Sequence, residues 1–331
     1  MIPTLAELLE RAHVVSLGLV APFRGITERE SVIIRGEAGW TEFSPFDDYS
    51  DAECVSWLRA AIEFGWSDDV GDSSGLVGTI PVNATMPAVQ PAQVAEILAR
   101  FEGCRTVKVK VGGPGTTLAG DVARVREVRR LMGAEGRISV DANGTWNVDE
   151  AEHAVHALAE FDLEYIEQPC ASIHELAELR ERTHYMGIPI AADESVRRES
   201  DPLEVARAGA ADILVIKVQP LGGITRALDI VRAAGLPAVV SSALETSVGI
   251  SMGAQLAARL PQLEFDCGLG TAALLTGDVT DAPLLPHGGV IDVARPQISH
   301  ELLARHAASP ERSTWWRERL ARVHALLDAD G

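Results

Sequence analysis

The chain has 331 residues, 47% of them hydrophobic, and a formal net charge of −19. That length and apolar content suffice for one large α/β domain with a smaller one beside it. The negative charge argues against nucleic acid or an anionic membrane as partner, since both attract basic surfaces, and it is compatible with a cation.

No apolar run approaches the ~18–20 residues of a membrane helix. The opening stretch MIPTLAELLERAH carries acids early and does not read as a signal peptide. Cys54, Cys104, Cys170 and Cys267 form no CxxC pair and no zinc spacing. They read as free thiols of a reducing cytoplasm. The expectation is a soluble cytoplasmic protein with no nucleic-acid or membrane partner, either a monomer or a homo-oligomer.

In chain order, residues 1–78 do not follow a strand–helix rhythm. Val14 to Val20, Glu30 to Arg35 and Trp40 to Ser44 predict three strands, the last two joined by the Gly36–Gly39 turn. Asp51 to Phe64 has helical spacing. This is a small α+β unit. From Thr79 the rhythm changes. Predicted strands at Ile80–Ala84 and Val107–Val111 alternate with helices at Pro91–Arg100 and Leu118–Met132. Three strands ending in acids follow, separated by helices near 148–160 and 173–183. Then come a strand at Asp212–Val218, a helix at Gly222–Ala234, a strand at Ala238–Ser242, a helix near 245–259 and a short last strand at Phe265–Gly268. Eight strands with intervening helices predict a (β/α) barrel over residues 79–280. Residues 281–331 leave the rhythm, with a turn and strand at 284–291 and a helix at Pro310–Leu327, and are expected to complete the N-terminal unit.

The three acids carry the chemistry. Ile138-Ser139-Val140 leads into Asp141, Tyr165-Ile166 into Glu167 and Ile190-Ala191-Ala192 into Asp193, with successive acids 26 positions apart. That period suits one βαβ step. The acids therefore sit at the C-terminal ends of successive parallel strands, where barrel active sites lie. Three converging carboxylates repel one another unless a cation sits between them, and oxygen-only ligation suits a hard divalent ion, Mg²⁺ first and Mn²⁺ as an alternative. A single strand-end acid would more often be a helix cap or a surface ion pair.

Alternation places Lys108 and Lys110 on one face of their strand. Lys217 ends the strand on the far side of the acids, so one lysine brackets the triad on each side. A lone lysine at such a place is ordinarily a surface or salt-bridge residue. A lysine acts as a base where burial or nearby positive charge disfavours its ammonium form, and a metal with Lys108 would supply such charge. Ser241, Ser242 and the backbone near Glu245 precede a helix, whose N-terminal N–H groups suit an anion. Gly268 and Gly270 permit close backbone approach.

The motifs Lys108-Val109-Lys110, Asp141-Ala142-Asn143, Ile166-Glu167-Gln168-Pro169, Asp193-Glu194-Ser195 and Ile216-Lys217 together resemble the enolase superfamily, muconate-lactonizing subgroup, over nearly the whole chain. The resemblance implies α/β architecture: a modified TIM (β/α)7β barrel (79–280) with an α+β capping domain (1–78, completed by 281–331). It implies Mg²⁺ on Asp141, Glu167 and Asp193, Lys110 as base and Lys217 as cation opposite, with Lys108, Asn143 and Glu194 in support. A lysine base working beside Mg²⁺ is the general pattern of that superfamily. Members with a His base on the seventh strand are disfavoured, because Val240-Ser241-Ser242 stands there. Phe23-Arg24-Gly25-Ile26-Thr27, Gly39 to Phe46, Ser241 to Ser247 and Gly268 to Ala272 are similar to the o-succinylbenzoate synthases. That similarity implies a small carboxylate substrate, with Arg24, Ser241, Ser242, Gly268 and Gly270 near it. N-acylamino-acid racemases and dipeptide epimerases use the same two lysines and are the rival reading. A muconate-type cycloisomerase is a more distant rival, and a non-catalytic barrel scaffold is a distant alternative of another class.

Overall fold

The computed structural model describes residues 2–67, 70, 76, 78–196 and 201–327, without the side chains of residues 201 and 202. The domain boundary expected at 78 adjoins residues outside that set. The chain opens with helix α1 (Leu5–Glu10), started by a Thr4–Glu7 capping box. Strands β1 (Ala12–Phe23), β2 (Ile26–Arg35) and β3 (Trp40–Phe43) form an antiparallel sheet in that order. β1 is longer than the predicted Val14–Val20 because it pairs with β2 from Ala12↔Ile34 out to Phe23↔Ile26. The two residues at the hairpin tip, Arg24 (φ 49°) and Gly25 (φ 81°), are both at positive φ. That is the twist-matched form of a two-residue hairpin, and it carries Arg24 toward the barrel mouth. Helix α2 (Cys54–Trp66) buries Trp57, Leu58 and Phe64 beneath the sheet.

The barrel sheet is all parallel: β5 (Ala84–Met86), β6 (Thr106–Lys110), β7 (Arg137–Asp141), β8 (Leu163–Glu167), β9 (Ile190–Ala192), β10 (Ile213–Ile216) and β11 (Ala238–Val240), each beside the next. The predicted last strand, Phe265–Gly268, supplies single bridges rather than a ladder. Cys267 bridges Val82 and Gly268 bridges Ser241, so the circle closes between β11 and the segment before β5. The predicted strand Ile80–Ala84 is divided. Residues Thr79–Pro81 form β4, which leaves the barrel to pair antiparallel with β12 (Val290–Asp292), and the barrel strand starts at Ala84. The tail strand competes for this segment, a long-range pairing invisible to local pattern. The strand expected to run through Val218 stops at Ile216, because Val218–Leu221 turns into a short helix with Lys217 at its N-cap.

Helices α3 (Val94–Leu98), α4 (Leu118–Met132), α5 (Val148–Leu158), α6 (Ile173–Thr183), α7 (Asp201–Arg207), α8 (Val218–Leu221), α9 (Ile224–Ala234) and α10 (Ser247–Ala257) accompany the strands. Thr117, Asn147 and Ser172 cap α4, α5 and α6 through side-chain oxygens, each contributing about 1 kcal/mol. Helix α11 (His300–Arg305) and helix α12 (Pro310–Leu327) follow. α12 returns to the N-terminal unit: Trp316, Leu320 and Val323 are fully buried, and Trp316 Nε1 donates to Glu30 Oε2 at 2.7 Å. All four cysteines are free. Among the described residues, no helix is long and apolar enough to cross a membrane.

Candidate active site

Parallel register builds the site. Lys110 on β6 pairs with Asp141 on β7, and Asp141 pairs with Glu167 on β8. Asp193 follows the end of β9 and Lys217 follows β10. The five predicted side chains thus gather at the C-terminal mouth of five neighbouring strands. Asp141 and Glu167 are fully buried and Asp193 almost so.

Each carboxylate has a lysine. Lys110 donates to Asp141 and, at 2.8 Å, to Asn143 Oδ1. Lys217 donates to Asp193 Oδ2 at 2.5 Å. Lys108 reaches both oxygens of Glu167, at 3.2 and 3.1 Å, and lies 3.9 Å from Asp141. Burial works against the Lys108 charge, but Glu167 and Asp141 outweigh it and hold the ammonium above the usual lysine range. Lys108 is thus enclosed by two carboxylates, an environment distinct from that of Lys110, which lies 5.2 Å from the centre of the Phe23 ring. Burial pushes the Asp141 carboxyl up, yet Lys110 and Lys108 prevail and hold it below the ordinary range. Burial and then the Asp141 charge push Glu167 up to about 8.

Among the described residues, no three His, Cys, Asp or Glu side chains stand grouped as a finished metal cage. Lys108 stands between Asp141 and Glu167, while Lys110 and Lys217 each pair with one acid. The donor set nevertheless fits a hard divalent cation: it is oxygen-only, dry and held on rigid strand ends, with one carboxyl driven up by its neighbour's charge. Asp141, Glu167 and Asp193 are the residues that could hold such an ion.

The supporting residues are tied in. Asn143 sits at φ 50°, a conformation Asn tolerates, and its backbone N–H donates to Asp141 Oδ1 at 2.9 Å. Its Nδ2 donates to Glu194 Oε1 at 3.1 Å, and Arg24 Nη2 lies 3.6 Å from the same oxygen. Burial, then Asp193, push Glu194 up to about 6. Gln168, quoted only as part of a motif, does more than the sequence suggested. It is fully buried, and its Oε1 accepts from the Asp193 N–H at 2.8 Å while its Nε2 donates to Cys170 O and Ser195 Oγ.

These groups border a small cavity of about 30 Å³ that Arg24, Phe46, Lys110, Lys217, Ser241, Ser242, Leu244 and Gly268 help to line. Gly270 is not on its wall. A Cβ added there would lie 2.8 Å from the Asn83 carbonyl oxygen, so the bare glycine permits that close backbone approach. At Gly268, an added Cβ would lie 2.5 Å from Ser241 Oγ, so the bare glycine lets this segment bridge Ser241 closely. The helix expected to offer free N–H groups does not offer them. Helix α10 starts at Ser247, and its first N–H groups are taken internally: Ser247 N–H by Asp278, Val248 N–H by Thr246 Oγ1 and Gly249 N–H by Glu42. Glu42 comes from β3 of the cap, about two hundred residues away in sequence, which is why local pattern missed it.

An acid-bracketing lysine pair on a capped barrel defines a class of enzyme, and comparison with known proteins agrees. Residues 91–297 match the family described as Enolase C-terminal domain-like, and residues 14–65 match Enolase N-terminal domain-like. The chain belongs to the enolase superfamily. More particularly, it is 51% identical over 309 residues to an o-succinylbenzoate synthase of Thermobifida fusca, covering 92% of this chain and 93% of that one. It is 49% identical over 331 residues to an o-succinylbenzoate synthase of Mycobacterium marinum, covering 99% and 98%. The muconate lactonizing enzyme from Pseudomonas putida shares the fold, with a TM-score of 0.74 at 21% identity over 90% of this chain and 98% of that chain.

Proposed function

We propose that this chain is an o-succinylbenzoate synthase, a hydro-lyase that removes water from 2-succinyl-6-hydroxy-2,4-cyclohexadiene-1-carboxylate to give o-succinylbenzoate. The place of that reaction is menaquinone biosynthesis in the cytoplasm. The observation that carries the reading is near-50% identity, over almost the full chain, to relatives that bear that name. The two lysines on opposite sides of three buried acids support it.

Asp141, Glu167 and Asp193 would hold the divalent cation, Mg²⁺ first and Mn²⁺ second. When bound, the cation supplies Lewis-acid stabilisation of negative charge on the substrate's ring carboxylate. Lys110 takes the proton beside that carboxylate and returns it to the departing hydroxyl on the same ring face, as a syn elimination needs only one base. Lys217 stays cationic on the other face. Lys108, held by Glu167 and close to Asp141, adds positive charge beside the acid cluster. Asn143 orients Lys110 through its 2.8 Å contact. The substrate's second carboxylate meets Arg24, and its succinyl arm runs along the wall that contains Ser241, Ser242 and Leu244. Aromatisation of the ring supplies the driving force, so positioning and charge are what the protein adds.

The test is a substrate panel with Mg²⁺: the cyclohexadiene acid against N-acyl amino acids and dipeptides, with and without excess chelator. Turnover of the cyclohexadiene acid that is lost in chelator and regained with Mg²⁺ is expected. Preferential epimerisation of dipeptides, or full turnover in chelator, would overturn the reading.

A further inference from the structure

The cavity wall at residues 241–244 is held in place from outside the barrel. Leu244 sits at φ 64°, a conformation that a branched side chain adopts only where its surroundings impose it. A closed circuit of buried groups imposes it here. Ala243 N–H donates to Glu245 Oε2 at 2.6 Å. Glu245 Oε1 accepts from Gln219 Nε2 at 3.3 Å, and the same Nε2 lies 3.2 Å from Ser44 Oγ. Gln219 Oε1 accepts from the Ser44 N–H at 3.2 Å. Arg29 donates to Ser44 O and, at 3.3 Å, to Ala243 O, which returns the circuit to its start. Arg29, Ser44, Gln219 and Glu245 are all at most 4% exposed.

The circuit joins three parts of the molecule. Arg29 and Ser44 belong to the cap, Glu245 to the wall itself, and Gln219 lies two residues beyond Lys217. Gln219 is a link whose side chain both accepts and donates. It accepts from a backbone N–H and donates to a carboxylate, which needs a planar amide at that reach. Glutamate there would set a second carboxylate against Glu245, and asparagine is one methylene short.

We infer that Gln219 is a positioning residue for substrate selection: through Ser44 and Glu245 it fixes the strained wall 241–244 against the ring substituent. The inference rests on the functional reading above, in which that wall receives the succinyl arm. The ring carboxylate, at the acids and lysines, is outside its reach. Gln219 should therefore govern how tightly an arm-bearing ligand binds, and leave a ligand without the arm alone.

The experiment compares o-succinylbenzoate with benzoate as inhibitors of the Mg²⁺-loaded full chain, before and after Gln219→Met. The substitution preserves length and apolar volume while removing both hydrogen-bonding functions. A shift of the wall by ~1 Å is enough to change such a contact by tenfold to a hundredfold. The expected result is a Ki for o-succinylbenzoate raised about tenfold or more, a Ki for benzoate within about twofold of the parent, and KM for the cyclohexadiene acid raised more than kcat falls. A merely structural role would lower the active fraction and move kcat alone. Equal weakening of both inhibitors, or an unchanged Ki for o-succinylbenzoate, overturns the proposal. Should Gln219→Met not fold, Ser44→Ala removes only the hydroxyl at 3.2 Å and should shift the same Ki ratio about threefold. An unchanged ratio there is equally fatal. Failure of the functional reading shows separately, as a parent chain that neither turns over the cyclohexadiene acid nor binds o-succinylbenzoate.

Discussion

Glu42 gives the sharpest stability prediction. It lies on β3 of the cap and is fully buried, yet most of its partners belong to the barrel. Its Oε2 accepts from Thr246 Oγ1 at 2.6 Å and from the Gly249 N–H at 3.0 Å. Its Oε1 accepts from Ser31 Oγ at 2.9 Å and from the Thr246 N–H at 3.4 Å. We predict that Glu42→Ala strands the Gly249 N–H and at least one hydroxyl in a dry interface and removes an anion from the start of α10. Each stranded donor costs roughly 1–3 kcal/mol, and the lost dipole contact up to about 1 kcal/mol. Relief from desolvating a carboxylate offsets part of this. The net loss should be about 3 kcal/mol. Glu42→Gln keeps one oxygen for Thr246 and Gly249, and its amide donates to Ser31, whose hydroxyl turns to accept. It should lose only about 1 kcal/mol. The assay is urea unfolding followed by tryptophan emission, since Trp57 and Trp316 are buried in the cap. A loss below about 1 kcal/mol for Glu42→Ala, or equal losses for the two variants, would refute the reasoning.

The two lysines should separate by mutation. Lys110→Ala is expected to cut dehydration by about 10²–10⁴-fold, and near-parental turnover would remove it as the base. Lys217→Arg keeps a cation but no usable base, so it should retain some dehydration while losing any racemisation of an N-acyl amino acid. Racemisation persisting in that variant would contradict the assignment. Glu245 predicts a pH dependence of stability. Burial, then the charge of Glu42, push its carboxyl up to about 7. Between its ordinary unfolded value and about 7 the folded state holds a proton that the unfolded state has lost, so this group costs stability as pH rises through that window. Glu245→Gln should shrink the drop in unfolding free energy between pH 5 and pH 8 by about 2 kcal/mol. An unchanged drop would show that Glu245 ionises normally.

The barrel was legible because its buried strands are short apolar runs, and because three of them end in an acid at one period. Helix starts were legible where a side chain caps them, as at Thr117, Asn147 and Ser172. What the sequence hid is pairing at long range. Ile80–Ala84 reads as one strand, but β12 draws its first part out of the barrel. The start of α10 reads as an anion site, but Glu42 and Asp278 already fill it. Alternation put Lys108 and Lys110 on one face correctly, yet gave no hint that Lys108 reaches across β7 to Glu167. Arg29, Gln219 and Glu245 carry no local signature at all, since their meaning lies in partners contributed by other parts of the chain.

The cap is sewn from both ends of the polypeptide, and this sets an order of events during synthesis. Trp316 meets Glu30 across 286 residues of sequence. At ~5–20 residues per second, the first three strands emerge roughly 15–60 s before the helix that covers them. Throughout that interval the nascent sheet presents Val14, Val32 and Phe43 without the lid that buries them in the finished molecule. The barrel meanwhile has every strand it needs by Gly268. The part of the protein made first is therefore the part finished last, and a chain that ended before residue 310 would carry a completed barrel beside a cap sheet lacking the cover that α12 gives it.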